Sequence, residues 1–192
     1  MQEVYIVMPK TRRILRLSAG VLALFSLAVF AADTGRQAAA AAACDPPDLT
    51  FDAEEQAFVW LINSYRAQYG LAPLTVSVNL NRAASWMAAD LATRSDFSHT
   101  DSLGRSPFDR LADCTGSSYG GENLAAGSPL ATAQDAFDLW RSSPSHDLNM
   151  LTAPFTQLGI ARVYNPNSLY GWYWALEFGV YDDGTRLETV AY

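Results

Sequence analysis

The chain has 192 residues, is 49% hydrophobic and 17% charged, and carries a formal net charge of −7. That composition describes a globular protein with room for one sizeable core. From Cys44 onward it holds eight arginines, no lysine and eighteen acidic residues, a charge of −10, which argues against nucleic acid or an anionic membrane as the main partner.

Residues 1–32 differ from the rest. Lys10, Arg12, Arg13 and Arg16 precede an apolar run from Leu17 to Ala32 that ends in small residues. This is the pattern of a secretory signal peptide, and Met8 is a natural start for it. An uncleaved anchor is the alternative; after cleavage no stable membrane insertion is expected. Residues 33–51 form an alanine-rich linker that closes on Asp45-Pro46-Pro47, which stops any helix. Acylation of Cys44 is disfavoured, because Ala41 stands where a large aliphatic residue is usual. Cys44 and Cys114 are the two cysteines. An exported chain with an even count points to a disulfide between them.

The ordered part is expected over residues 52–181, with 182–192 as a C-terminal tail. Asp52 and Glu55 make a capping-box start, and Phe58, Leu61, Ile62, Tyr65 and Tyr69 recur at helical spacing, so a helix is predicted over 53–69. Leu80, Ala83, Ala84, Met87 and Leu91 define a second helix over about Val78–Arg94. A polar loop with His99 follows. Ser106-Pro107 then opens a short helix. "YGGENLAAG" is a short strand or irregular passage. A second Ser-Pro start, at Ser128, leads a helix that turns Leu130, Ala133, Phe137 and Trp140 inward. A third carries His146 on its first turns. Beyond Pro154, two stretches rich in aromatic and β-branched residues flank "NPNS", the pattern of an antiparallel hairpin. Helices come first and strands follow, so the fold class is α+β.

Only two histidines occur, His99 and His146, each directly after a serine and neither inside an apolar period. Glu122 is flanked by glycines. Two imidazoles and a carboxylate are a donor set for a zinc-type ion with an open position for water. Their separations of 23 and 24 residues do not by themselves show convergence. The plain alternative is three loop residues that bond locally.

The stretches "FVWLINSYRAQYGLAPL", "FSHTDSLGRSPFDRL", "GENLAAG" and "SPSHDLNMLTAPFTQLGIA" occur in an order that resembles the CAP superfamily, also called the SCP domain, in its bacterial branch. The superfamily includes cysteine-rich secretory proteins, antigen 5 and pathogenesis-related-1 proteins. The resemblance covers roughly residues 55–179. It implies a three-layer α-β-α sandwich with a small, mostly antiparallel central sheet, and a surface cavity lined by His99 and Glu122. The family's usual tetrad has two histidines and two glutamates. Here Pro154 stands where the second histidine precedes "FTQ", and Ser143 stands near the second glutamate. The bacterial pattern supplies His146 and Asn149 instead.

Asn149 is expected to orient the His146 ring, with capping of a neighbouring loop as the alternative, and Asn123 and Ser98 are further supporting residues. Asn63 and Arg66 are expected to anchor loops, and Trp172 and Trp174 to share one core face of a strand. Asp101, Asp109 and Asp113 lack the order of a calcium loop and are expected to form a solvated acidic face. A Ser-His pair adjacent in sequence rarely has the geometry of an activated nucleophile. The expected function is a secreted binding module with a His99–Glu122–His146 cavity for a lipid, cell-wall or protein ligand. A metal-dependent hydrolase of peptide or wall substrates, with a zinc ion on the same three residues, is the alternative. A structural surface module is the third reading.

Overall fold

A computed structural model describes residues 44–46 and 50–187. All of them belong to one compact unit, Ala40–Tyr192; the other unit, Met1–Ala39, carries the signal-peptide reading and lies outside the described residues.

Helix α1 runs Ala53–Gln68. The Asp52 carboxylate accepts from the backbone N–H of Glu54 and Glu55 at 2.8 and 2.9 Å, and Glu55 accepts in return from Asp52 N at 2.8 Å. This box satisfies donors that the first turn leaves free. Phe58, Ile62 and Tyr65 form the buried stripe, whereas Tyr69 is exposed just past the helix end. Strand β1, Thr75–Val76, leads through the cap residue Ser77 into α2, Val78–Thr93. Ala83, Ala84 and Ala88 on α2 are fully buried, so the helix lies close on the sheet. Helix α3, Pro107–Thr115, has Ser106 and Asp109 as a second capping box with Pro107 at its first position.

Strand β2 is Gly120–Ala126. Helix α4 is Ala133–Ser142 and starts later than the Ser128-Pro129 pair suggests. Thr132 caps it with Asp135, a reciprocal pair that satisfies two donors where a lone Ser-Pro would satisfy one. Helix α5, Pro144–Met150, keeps the Ser-Pro start, with Pro144 in its first turn. The hairpin is β3, Gln157–Tyr164, and β4, Trp172–Gly179.

The sheet order is β1-β3-β4-β2, with β1 parallel to β3 and the other pairs antiparallel. One face packs Leu158, Ile160, Trp174 and Leu176 against α1 and α4. The other packs Ala161, Tyr173, Ala175 and Leu124 against α2. Helices on both faces of one mixed sheet give the three layers and the α+β class. The buried tryptophans satisfy their N–H groups on backbone carbonyls, Trp140 on Leu124 and Trp174 on Leu130.

Two helix residues tie loops down, as their polar positions predict. Asn63 bonds both the N–H and the carbonyl of Leu74. Arg66, fully buried, donates to the carbonyls of Ala72, Met150 and Thr152. The Cys44–Cys114 disulfide joins the start of the domain to the last turn of α3. Residues 182–187 fold back on the domain: Leu187 N–H donates to Val76, and Asp183 accepts from the Ser77 hydroxyl.

Candidate functional site

Strand β2 is an edge strand of the sheet, and alternation sends its neighbouring side chains to opposite faces. Glu122 points to the α2–α3 face, where Arg110 lies on α3 and His99 in the loop after α2. Asn123 points the other way, towards α5, and donates to the His146 carbonyl at 3.0 Å. Asn123 thus fastens the His146 backbone to the face of β2 opposite Glu122.

The His99 loop is held at several points. Arg94, at the end of α2, donates to the carbonyls of Ser98 and Thr100, both at 2.5 Å. The Ser98 hydroxyl accepts from Thr100 N at 3.1 Å, so it shapes the turn. Asp101 then accepts from the backbone of Leu103 and Arg105. The loop presents His99 Nδ1 to Glu122 Oε1 at 2.5 Å, with the His99 side chain 47% exposed and that of Glu122 1% exposed. Because an ionised carboxylate can only accept, Nδ1 donates.

Glu122 is itself anchored. Its second oxygen accepts from Arg110. The same fully buried guanidinium meets Asp101 at 3.3 Å and Glu177 at 3.3 Å. Asp101 is shared with Arg105 at 2.8 Å. Burial pushes the Glu122 carboxyl up, but the Arg110 charge and the His99 bond outweigh it and hold the group below the ordinary glutamate value. Glu177 is driven well above that value, by burial first and then by the neighbouring Glu122 charge. Two guanidinium groups thus face three acidic side chains, of which Glu177 is the one driven towards its protonated form. Asp101 thus corrects the expectation of a solvated acidic face: it is buried because α3 folds over it and delivers Arg110. Asp109 caps α3 and Asp113 reaches Arg105.

His146 sits at the start of α5. Its pKa is lowered by burial and then by the charge of nearby His99. Its Nδ1 has no hydrogen-bond partner among the described residues. Asn149 reaches β2 rather than the His146 ring: its amide donates to the Glu122 carbonyl at 3.2 Å and to Asn123 Oδ1 at 2.8 Å. Asp147 accepts from the Tyr65 hydroxyl at 2.9 Å. Arg110 and Glu177 are the members that motif reading alone passes over. Separately, a cavity of about 240 Å³ between Leu111, Tyr119 and Tyr181 includes none of His99, Glu122 or His146.

Glu122 is not free to ligate a divalent ion. Both Glu122 oxygens are engaged, one of them by a permanent cation, and a metal there would face the guanidinium. Among the described residues no group of three or more His, Cys, Asp or Glu side chains is placed to hold a metal ion.

A mixed sheet between two helical layers is the architecture of an SCP-type domain. The model of the cysteine-rich secretory protein family, CAP, matches residues 59–178, and the chain belongs to that family. It is 33% identical over 113 residues to the protein YkwD of Bacillus subtilis (strain 168), covering 58% of this chain and 43% of that one. The chain thus spans less than half the length of that relative. Among solved structures, an outer surface protein from Borrelia burgdorferi is similar with a TM-score of 0.58 and 20% identity, covering 68% of this chain and 94% of that one. An extracellular protein containing a SCP domain from Bacillus anthracis str. Ames is similar with a TM-score of 0.55 and 26% identity, over 64% and 39% of the two chains. Among the described residues no helix is long and apolar enough to cross a membrane.

Proposed function

We propose that the chain is an exported binding module whose recognition group is the His99 imidazole held by Glu122. One observation carries this reading: the 2.5 Å bond from His99 Nδ1 to a Glu122 that is itself fixed by Arg110. A half-exposed ring locked by a buried carboxylate costs desolvation that a plain surface histidine would avoid. Such outlay is typical of a group kept in position for a ligand. Export fits the leading basic and apolar segment, and the extracellular and outer-surface relatives are in keeping with it. The ligand class is a lipid, cell-wall material or another protein. The strongly acidic chain beyond Cys44 makes nucleic acid the wrong kind of partner.

A metal-dependent hydrolase is the weaker reading, since the carboxylate it needs as a ligand is already committed on both oxygens. The test uses chelator-treated protein, peptidoglycan sacculi and phospholipid vesicles. Co-sedimentation is compared for wild type, His99→Ala and His146→Ala. The expected result is retention on one of these surfaces, reduced severalfold in His99→Ala. Equal retention of all three proteins places recognition elsewhere and favours a purely structural surface module.

A further inference from the structure

We propose that Arg110 is the resident cation of this site, filling a point that would otherwise attract a divalent ion, and that it makes His99 a metal-free hydrogen-bond acceptor. Three carboxylates from three separate segments converge on this one position: Asp101 from the loop after α2, Glu122 from β2 and Glu177 from β4. Their side chains are no more than 1% exposed. Convergent, buried carboxyl oxygens are what a hard cation needs. Here the positive charge comes from the protein, on a helix whose start is doubly fixed by Ser106 and Pro107.

Guanidinium suits the position better than an ammonium would. It is planar, permanently charged and carries several donors, so one group can serve three acids at once. Arg110 uses all three of its nitrogens: Nη1 on Asp101, Nη2 on Glu122 and Nε on Glu177. Arg105 supplies the second positive charge, on Asp101. The acid left without a cation of its own is Glu177, and its second oxygen has no hydrogen-bond partner among the described residues.

The consequence reaches the surface through Glu122. With one oxygen taken by Arg110, the other accepts Nδ1–H of His99, so that in the neutral ring Nε2 is the acceptor available to whatever binds. The complementary ligand group is a hydrogen-bond donor: a hydroxyl, an amide N–H or an ammonium. This rests on the binding reading above and narrows it. Arg110 touches no ligand; it is a positioning residue.

The experiment has two readouts independent of ligand capture. First, long-range ¹H–¹⁵N spectra of the histidine rings are recorded for wild type, Glu122→Gln and Arg110→Lys, with chelator and with zinc chloride. The expected wild-type spectrum has the His99 proton on Nδ1 in both conditions. Glu122→Gln loses that preference. Second, thermal unfolding is followed with and without zinc or manganese chloride. Wild type is expected to show no rise in Tm. Arg110→Met, with three acids released, is expected to be destabilised and partly restored by the ion. A wild-type His99 protonated on Nε2 overturns the proposal. So does stoichiometric zinc uptake by wild type that disappears in His99→Ala. If Arg110→Met does not fold, the wild-type spectra and zinc titration decide by themselves. Failure of sacculus or vesicle binding would remove the binding reading while leaving these results intact, so the two failures are distinguishable.

Discussion

Glu122 on β2 and Glu177 on β4 are directly opposed in the antiparallel register, and both carboxyl groups reach the single guanidinium of Arg110. Like charges facing across a strand pair repel. The pair persists because a cation bridges it and because burial beside the Glu122 charge drives Glu177 towards its protonated form.

A pH dependence follows, with opposite signs on the two sides. Glu122 is depressed in the folded state, so its contribution is lost as pH falls from the ordinary value of 4.5 through the folded one. Glu177 is raised, so the folded state keeps a proton that the unfolded chain releases above 4.5, and stability falls as pH rises through that window. Glu55, raised by burial to about 7, adds a loss of the same sign between 4.5 and about 7. The expected outcome is that Glu177→Gln, which has no proton to lose, declines less steeply than wild type above the ordinary glutamate range. Urea unfolding from about pH 5 to about pH 8 measures this. Parallel curves for the two proteins would reject the assignment of the proton to Glu177.

Arg110→Met should be among the most damaging single changes. Removing one partner of a buried ion cluster strands the others, at a cost of about 3–5 kcal/mol. Arg110→Lys keeps the charge but cannot contact three acids in one plane, so it should fall between wild type and Met. Denaturant midpoints rank the three. A loss below about 1 kcal/mol for Met would mean that the acids relax onto water without penalty.

The extent to which the sequence disclosed this arrangement differs residue by residue. His99, His146 and Glu122 stand out because each is a polar group in a loop or near the end of an element, where periodicity does not explain it. Strong caps made α1 and α3 legible, and the aromatic alternation made β3 and β4 legible. Strand β1, with two residues, is too short for any period to register. Arg110 was masked by the helix-start signal of "SPFDRL", which accounts for every residue in it without asking what the arginine meets. Glu177 did leave a trace: it is an acid on the same strand face as Tyr173 and Ala175. A charge on a buried face requires a partner, but that partner is 67 positions away. Asp101 lies in a run of acids that looks solvated, and its burial is decided by the packing of α3, which no local pattern encodes.

Asn149 gives a test of how α5 is fastened. Its amide reaches the Glu122 carbonyl and the Asn123 side chain, and Asn123 in turn holds the His146 carbonyl. Asn149→Ala leaves these acceptors without a donor and should cost about 1–3 kcal/mol. Amide exchange should accelerate in α5 and β2 and stay unchanged in α1. Acceleration spread evenly over the domain would instead indicate a global loss.

The Cys44–Cys114 bond closes a loop with a sequence separation of 70. On chain entropy, replacing both cysteines with serine should cost about 4–5 kcal/mol. The same loss should appear in wild type on reduction, read from denaturant curves with and without reductant. A reduced protein as stable as the oxidised one would mean that the tie to residue 44 does not restrict the unfolded chain.

Gly159 links packing to the site. A Cβ placed there would lie 2.1 Å from the Leu80 carbonyl carbon and 2.3 Å from Asn81 N. Both are backbone atoms of α2, so no side chain can turn aside. Gly159→Ala must therefore push α2 away from β3, breaking the bond from Ile160 N–H to Asn81 Oδ1 at 3.1 Å. The cost should reach or exceed the ordinary overpacking range of about 1–3 kcal/mol. Helix α2 also ends on Arg94, which holds the carbonyls on either side of His99. A displaced α2 should therefore perturb the His99 ring signals, although Gly159 is remote in sequence. Gly127→Ala is the matched control, because its Cβ would meet Leu130 at an ordinary 3.5 Å. If Gly159→Ala lowers the midpoint but leaves the His99 ring unmoved, the loop is held by β2 and α3 alone, and α2 has no part in positioning the imidazole.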